Sequence, residues 1–408
     1  MQIHRRRFLQ TSAAALTAPA LITSARAADA IKIAGIFDLS GGLDIYGAPM
    51  TACLELAVDD INGAGGLIGR PVELIKYDPQ SNIQFYTQFA TEAATKDKVA
   101  AVFAGITSAS REAIRPLLRR YQTLYFYPTL YEGGVCDRNI FMTGTTPGQT
   151  IDKILPAAMK QWGKKIYVLA ADYNYGQISS DWVKKYAKDN GGEVIAADFF
   201  PLDVTEFGPT IKKIQAAKPG MVFTILVGGN HMSFFRQWAA AGMAGQIPIA
   251  SSDFGTGNEH RVLTPAESNG ILAAYGYFQE LQTPTNAAFL ERLHHKFGDK
   301  APYINELAVK TWYAVMHWAN GVKTAGSIDR MAVIKGVEAN PVVEGPGGRS
   351  TMEAATHHCR MDIHLASVKD GAFVVSQSFP DQPPSDTAAV CDLIKHPDED
   401  KQFVIKAS

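Results

Sequence analysis

The chain has 408 residues, 46% hydrophobic and 19% charged, with 4 cysteines and a formal net charge of −1. That composition excludes a disordered chain, a cysteine-dense disulfide scaffold and the repeats of collagen or coiled coil. Beyond the N-terminus no uncharged apolar run reaches the roughly 18 residues of a membrane span, and the near-neutral charge argues against a dedicated nucleic-acid binder.

Residues 1–27 read as an export signal. The basic run His4-Arg5-Arg6-Arg7-Phe8-Leu9-Gln10 enters small and apolar residues over 13–22, and Ala25-Arg26-Ala27 places small residues where a signal peptidase cuts. Paired arginines followed by Phe-Leu resemble the twin-arginine signal, whose cargo crosses already folded; a retained amphipathic helix is the plain alternative. Removing 1–27 deletes four arginines and no acid, leaving 35 basic and 40 acidic residues and a formal charge of −5. The first cysteine is Cys53, far from the cleavage site, so a free periplasmic protein is expected rather than a lipid-anchored one.

From Ile31 short apolar runs alternate with amphipathic stretches. Strands are predicted over 31–37, 72–77 and 99–105. Leu54, Ala57, Val58 and Ile61 mark one face of a helix between the first two, and Tyr86, Phe89, Ala90 and Ala93 mark another before the third. The pattern restarts after Pro147, with strands over 165–171, 194–200, 221–228 and 247–250 and helices over 177–189, around Phe207, Ile211 and Ile214, and over 232–241. A strand at 271–277, helical stretches at 285–297, 303–324 and 328–339, and strand-like segments at 359–368 and 373–378 follow. Strands alternating with helices imply parallel sheets, here in an α/β fold of two doubly wound lobes. The predicted organisation is 28–146 with 275–348 as lobe 1, and 147–274 with 349–408 as lobe 2, the chain crossing near 143–147, 273–276 and 345–352.

Candidate site residues cluster where strands end. Gly105-Ile106-Thr107-Ser108-Ala109-Ser110-Arg111 lies between a strand and a helix, where free N–H groups hold an electronegative ligand atom; an ordinary helix cap by Ser108 is the bland reading. The glycine spacing matches neither a phosphate loop nor a dinucleotide fingerprint. Tyr125-Phe126-Tyr127-Pro128-Thr129-Leu130-Tyr131-Glu132-Gly133 sets rings, a hydroxyl and a carboxylate at the C-terminal end of the next strand, where open α/β sheets bind ligands. Asp172-Tyr173-Asn174-Tyr175-Gly176 and Ser251-Ser252-Asp253-Phe254-Gly255 occupy equivalent junctions in the second run, Asp253 being the better charged partner.

His294-His295 sits on a solvated helix face. His357-His358-Cys359 with Cys391 and His396 matches no zinc spacing, so neither metal nor cofactor is expected. The nucleophile elbow is absent, and no enzyme is predicted. Cys53 falls on the apolar face of the first helix as a buried thiol. The sequence does not choose a pairing among Cys136, Cys359 and Cys391, although Cys359 with Cys391 would tie down the tail.

Asp59-Asp60-Ile61-Asn62 with Gly65-Gly66-Leu67-Ile68-Gly69-Arg70, Tyr77-Asp78, Ser108-Ala109-Ser110-Arg111 and Tyr127-Pro128-Thr129 with Tyr131-Glu132-Gly133 resemble the type I periplasmic solute-binding proteins of ABC transporters. The branch is the one that includes branched-chain amino-acid, urea and short-chain amide binders. The resemblance implies two lobes closing on a small solute about a three-crossover hinge, a monomer that no nucleic acid contacts, and an inner-membrane permease as partner. It implies ligand contacts by Ser108, Tyr127, Thr129 and Tyr131 from the first lobe and by Tyr173, Tyr175 and Asp253 from the second. The first-lobe motifs look closest to urea and amide binders, whereas Asp253 followed by glycine looks like amino-acid binders, where an acid meets the ligand ammonium. Urea or a short-chain amide is the expected solute, with an amino acid or a sensor role as alternatives.

Overall fold

The structure, a computed structural model, describes residues 29–404; the export signal expected over 1–27 lies outside the described residues. The first run is β1 (Ile31–Ile36), α1 (Asp44–Gly63), β2 (Val72–Tyr77), α2 (Ile83–Thr95), β3 (Ala101–Ala104), α3 (Ser108–Arg120) and β4 (Leu124–Tyr127), then short strands β5 (Val135–Asp137) and β6 (Ile140–Met142). The second is α4 (Ile151–Trp162), β7 (Lys165–Ala171), α5 (Asn174–Asp189), β8 (Glu193–Phe200), α6 (Gly208–Ala217), β9 (Met221–Ile225), α7 (Asn230–Ala240), β10 (Ile249–Ser251), α8 (Pro265–Ser268) and β11 (Leu272–Tyr275). Helices α9 (Pro284–Phe297), α10 (Glu306–Ala325) and α11 (Arg330–Ala339) precede β12 (Val342–Gly345), β13 (Gly348–Glu353), β14 (His358–Lys369) and β15 (Ala372–Gln382), and the tail carries α12 (Ser385–Ala388) and β16 (Asp400–Gln402).

Strands β2-β1-β3-β4-β6 are parallel neighbours, as are β11-β10-β9-β7-β8. Strand β14 joins the two halves: it touches β6 in parallel at His358 and Met142, then runs antiparallel to β11. Every residue of β3, β4 and β9 is buried, which is why these strands read as nearly continuous apolar runs, interrupted only by Thr224, instead of alternating ones. Long helix α10 covers the first half with a nearly continuous buried surface that includes Leu307, Val315, Trp318 and Val322. Helix α4 faces the second half with Ile151, Ile154, Leu155, Ala158 and Met159 at helical spacing.

The tail departs from its expected place with the second lobe. Strand β16 pairs antiparallel with β5 in the first half, Asp400 opposite Asp137 and Gln402 opposite Val135. A disulfide joins Cys136 to Cys391 across a sequence separation of 255, leaving Cys53 and Cys359 as buried free thiols. Cys359 is therefore not the partner of Cys391; it lies in β14 beside His317, its Sγ 3.6 Å from Nε2. His294 and His295 are exposed on α9, and among the described residues no group of three or more His, Cys, Asp or Glu is arranged to hold a metal.

Thiol titration of unfolded, unreduced protein should find two thiols, Cys53 and Cys359. Replacing Cys391 by serine should cost about 2–4 kcal/mol in guanidinium unfolding, because the bridge closes so long a loop.

Candidate functional site

Strand β3 is followed by Gly105, whose φ of +93° belongs to glycine; a Cβ there would lie 2.9 Å from Tyr125 Oη and 3.0 Å from the Tyr127 ring. The chain then enters α3 through Thr107, which is the helix cap in place of Ser108. Thr107 Oγ1 accepts from Ser110 N, and Ser110 Oγ accepts from Thr107 N. This box uses the N–H groups of Thr107 and Ser110, so those of Ser108 and Ala109 head the helix without an intrahelical carbonyl.

A small cavity of about 30 Å³ opens here between the halves of the molecule, room for a few water molecules in this arrangement of the chain. Five expected residues line it: Ser108 and Thr129 from the first half, Tyr173, Tyr175 and Asp253 from the second. Tyr46 and Thr256 also line it, with Ile106, Leu130, Val227 and Leu307 as apolar walls. Tyr46 projects from α1 and accepts from Gly228 N of the second half at 2.9 Å, so it joins the two halves. The sequence did not single it out because it lies in the first turn of α1, past the Ser40-Gly41-Gly42 turn that follows β1.

Tyr127 and Tyr131, expected as ligand contacts, do not line the cavity. Both are buried behind it around Arg111, whose guanidinium carbon lies 5.2 Å from the Tyr127 ring centre and 4.6 Å from that of Tyr131. Tyr127 Oη donates to the carbonyl of Ile106, and Tyr131 Oη bonds His358 Nε2. Arg111 Nη2 donates to Glu132 Oε1 at 2.8 Å, both side chains being fully buried. Ser108 Oγ donates to Glu132 Oε2 and accepts from Arg111 Nη1 at 3.3 Å. Thr129 Oγ1 donates to the carbonyl of Gly105 at 2.8 Å.

Asp253 is the charged group of the cavity. Its Oδ1 accepts from Ser251 Oγ at 2.8 Å, while its Oδ2 has no hydrogen-bond partner among the described residues. His231 Nε2 lies 3.9 Å from Oδ2, beyond hydrogen-bond reach. Burial pushes the Asp253 carboxyl up to about 7, against the pull of His231 and the Ser251 hydroxyl. A buried carboxylate oxygen without a donor is costly, and a ligand N–H aimed at it removes that cost.

The profile described as "Periplasmic binding protein" matches residues 30–372. The chain belongs to the periplasmic binding protein family. The leucine-, isoleucine-, valine-, threonine- and alanine-binding protein of Pseudomonas aeruginosa is 26% identical over 342 residues, 82% of this chain and 89% of its own. A solute-binding protein of an ABC transporter from Rhodopseudomonas palustris BisB5, solved with 3,4-dihydroxybenzoic acid, superposes with a TM-score of 0.78 at 20% identity, covering 88% of this chain and 99% of its own. A branched-chain amino-acid transporter substrate-binding protein from Streptococcus pneumoniae, solved with isoleucine, gives 0.73 at 20% identity, covering 87% and 100%. These relatives and structural neighbours are transporter substrate-binding proteins and not enzymes. Membership of that family makes this chain a periplasmic binding protein.

The Arg111–Glu132 pair yields a prediction about stability. Arg111→Leu leaves Glu132 as a buried, uncompensated charge and should destabilise the protein by about 3–5 kcal/mol in guanidinium unfolding. Lys at position 111 should recover only part of this, since an ammonium lacks the planar fork.

Proposed function

We propose that the solute is a small amino acid, its ammonium held by Asp253 and its carboxylate by the N–H groups that open α3. The observation that carries this reading is the unpartnered Oδ2 of Asp253, buried in the wall of the cavity. A zwitterion matches an acid on one lobe and a helix N-terminus on the other. The aliphatic walls suit a short apolar side chain, and the Pseudomonas relative named for leucine, isoleucine, valine, threonine and alanine supports the same class. A benzoate-type acid, as in the Rhodopseudomonas neighbour, brings no cation to Asp253 and fits less well.

Urea or a short-chain amide is the second reading, favoured by hydroxyl polarity. Ser108 and Thr129 both donate to the protein itself, so each turns a lone pair to the cavity, which suits a ligand N–H. In either reading Ser108, Thr129, Tyr46, Tyr173 and Tyr175 surround the solute and the lobes close over it as a monomer. The organisation proposed is residues 28–146 with 275–348 against 147–274 with the β14–β15 pair, the chain having been exported by the twin-arginine route.

Calorimetry separates the two. Wild-type protein should bind alanine, valine or leucine in preference to urea and acetamide. Asp253→Asn should weaken the amino acid about 100-fold and leave any urea binding within about tenfold; equal losses would remove Asp253 from the proposed role.

The pH dependence has a definite sign. Only ionised Asp253 pairs with an ammonium, and its carboxyl titrates near 7 in the empty site. Amino-acid affinity should be full at pH 8 and fall about tenfold per unit below 7, while urea affinity stays flat.

A further inference from the structure

Glu132 collects more of the molecule than any ligand contact does. It follows β4 in the first lobe, yet the second lobe reaches it twice: Trp182 Nε1 of α5 donates to its backbone carbonyl at 3.0 Å, and Asn174 Nδ2 approaches its Oε1 at 3.5 Å. The C-terminal tail reaches it as well. Gln402 Nε2 donates to Glu132 Oε1 at 2.5 Å and to the Gly133 carbonyl at 3.2 Å, while Gln402 Oε1 accepts from Arg111 Nη2 at 3.1 Å. One amide thus spans both members of the buried ion pair.

The tail is held in that place along its length. Arginines one turn apart on α3 bind its carbonyls: Arg115 reaches that of Asp400 at 2.6 Å, and Arg119 those of Glu399 at 3.0 Å and Asp398 at 2.9 Å. Gly134 lets the tail pass, since a Cβ there would lie 1.9 Å from the Phe403 carbonyl oxygen. Cys391, bonded to Cys136 of β5, anchors the strap upstream.

We propose that Glu132 is an interlobe latch and that the disulfide-anchored strap sets its strength through Gln402. With Gln402 in place, the Glu132–Gly133 segment is fixed on the side away from the cleft and offers Trp182 a rigid carbonyl. Without it, the acceptor moves, the Trp182 bond weakens and the lobes part. Glu132 and Gln402 are positioning residues, which touch no solute but bias the open-closed equilibrium on which capture depends. The inference rests on closure of two lobes and not on which solute is bound.

The test therefore uses ligand-free mature protein. Hydrogen exchange at the ¹⁵N-labelled indoles is followed by NMR, together with the radius of gyration from small-angle scattering. Trp312, whose indole donates to Asp60 within the first lobe at 2.9 Å, is the internal control. In Gln402→Ala, Trp182 exchange should accelerate about tenfold and the radius increase, with Trp312 unchanged. Reducing the disulfide with dithiothreitol should move both readouts in the same direction. Trp182→Phe, which keeps the ring and loses the donor, should open the protein with the strap intact. Unchanged Trp182 exchange and radius in Gln402→Ala would overturn the proposal, as would equal acceleration of Trp312, which reports general loosening.

Discussion

The buried ion pair of Arg111 and Glu132 is the constraint around which the cleft is arranged. Two opposite charges removed from water recover their hydration only if every remaining donor and acceptor is met. Here two tyrosine faces flank the guanidinium, Ser108 and Gln402 complete the carboxylate, and Glu112 takes the Arg111 Nε at 2.9 Å. Meeting those requirements fixes the Ser108 hydroxyl as a donor to the protein and brings the C-terminal tail back to the first lobe. It also gives the second lobe a rigid carbonyl to dock on.

The two lobes contribute different chemistry to the cavity. The first brings a helix N-terminus whose N–H groups favour negative charge, with two hydroxyls whose protons are already committed. The second brings aromatic rings and a carboxylate with one unpaired oxygen. Neither set encloses a solute alone. A molecule bridging both would make its full set of contacts only with the two sides together, so its binding would favour that arrangement.

Residues that resemble a ligand-binding motif need not touch the ligand. Arg111, Tyr127, Tyr131 and Glu132 carry much of the likeness to urea and amide binders, yet in this structure they satisfy one another behind the cavity wall. Of those two motifs only Ser108 and Thr129, with the backbone of the first α3 turn, face the solute space. The motif therefore reports the architecture of the first-lobe wall, and the carboxylate that lines the cavity, Asp253, lies outside it.

Much of the fold was legible because a buried parallel strand must be a short apolar run and its covering helix must show a periodic apolar face. Strands 72–77 and 165–171 were read to the residue, and α4 went unmarked although its Ile151, Ile154, Leu155, Ala158 and Met159 carried the same signal. Ser108, Thr129, Tyr173, Tyr175 and Asp253 could be chosen because ligand sites gather at strand C-termini, a position the strand pattern reveals. The tertiary structure alone decided that Tyr127 and Tyr131 face Arg111, that Tyr46 enters the cavity from the first turn of α1, and that Cys136 takes Cys391. Strands β5 and β16 have three residues each, too few for periodicity, and they meet only because the folded α3 presents its arginines to the returning tail. Local pattern encodes which face of an element is apolar; which side chains share a cavity depends on contacts between segments hundreds of residues apart, and those exist only once the chain has folded.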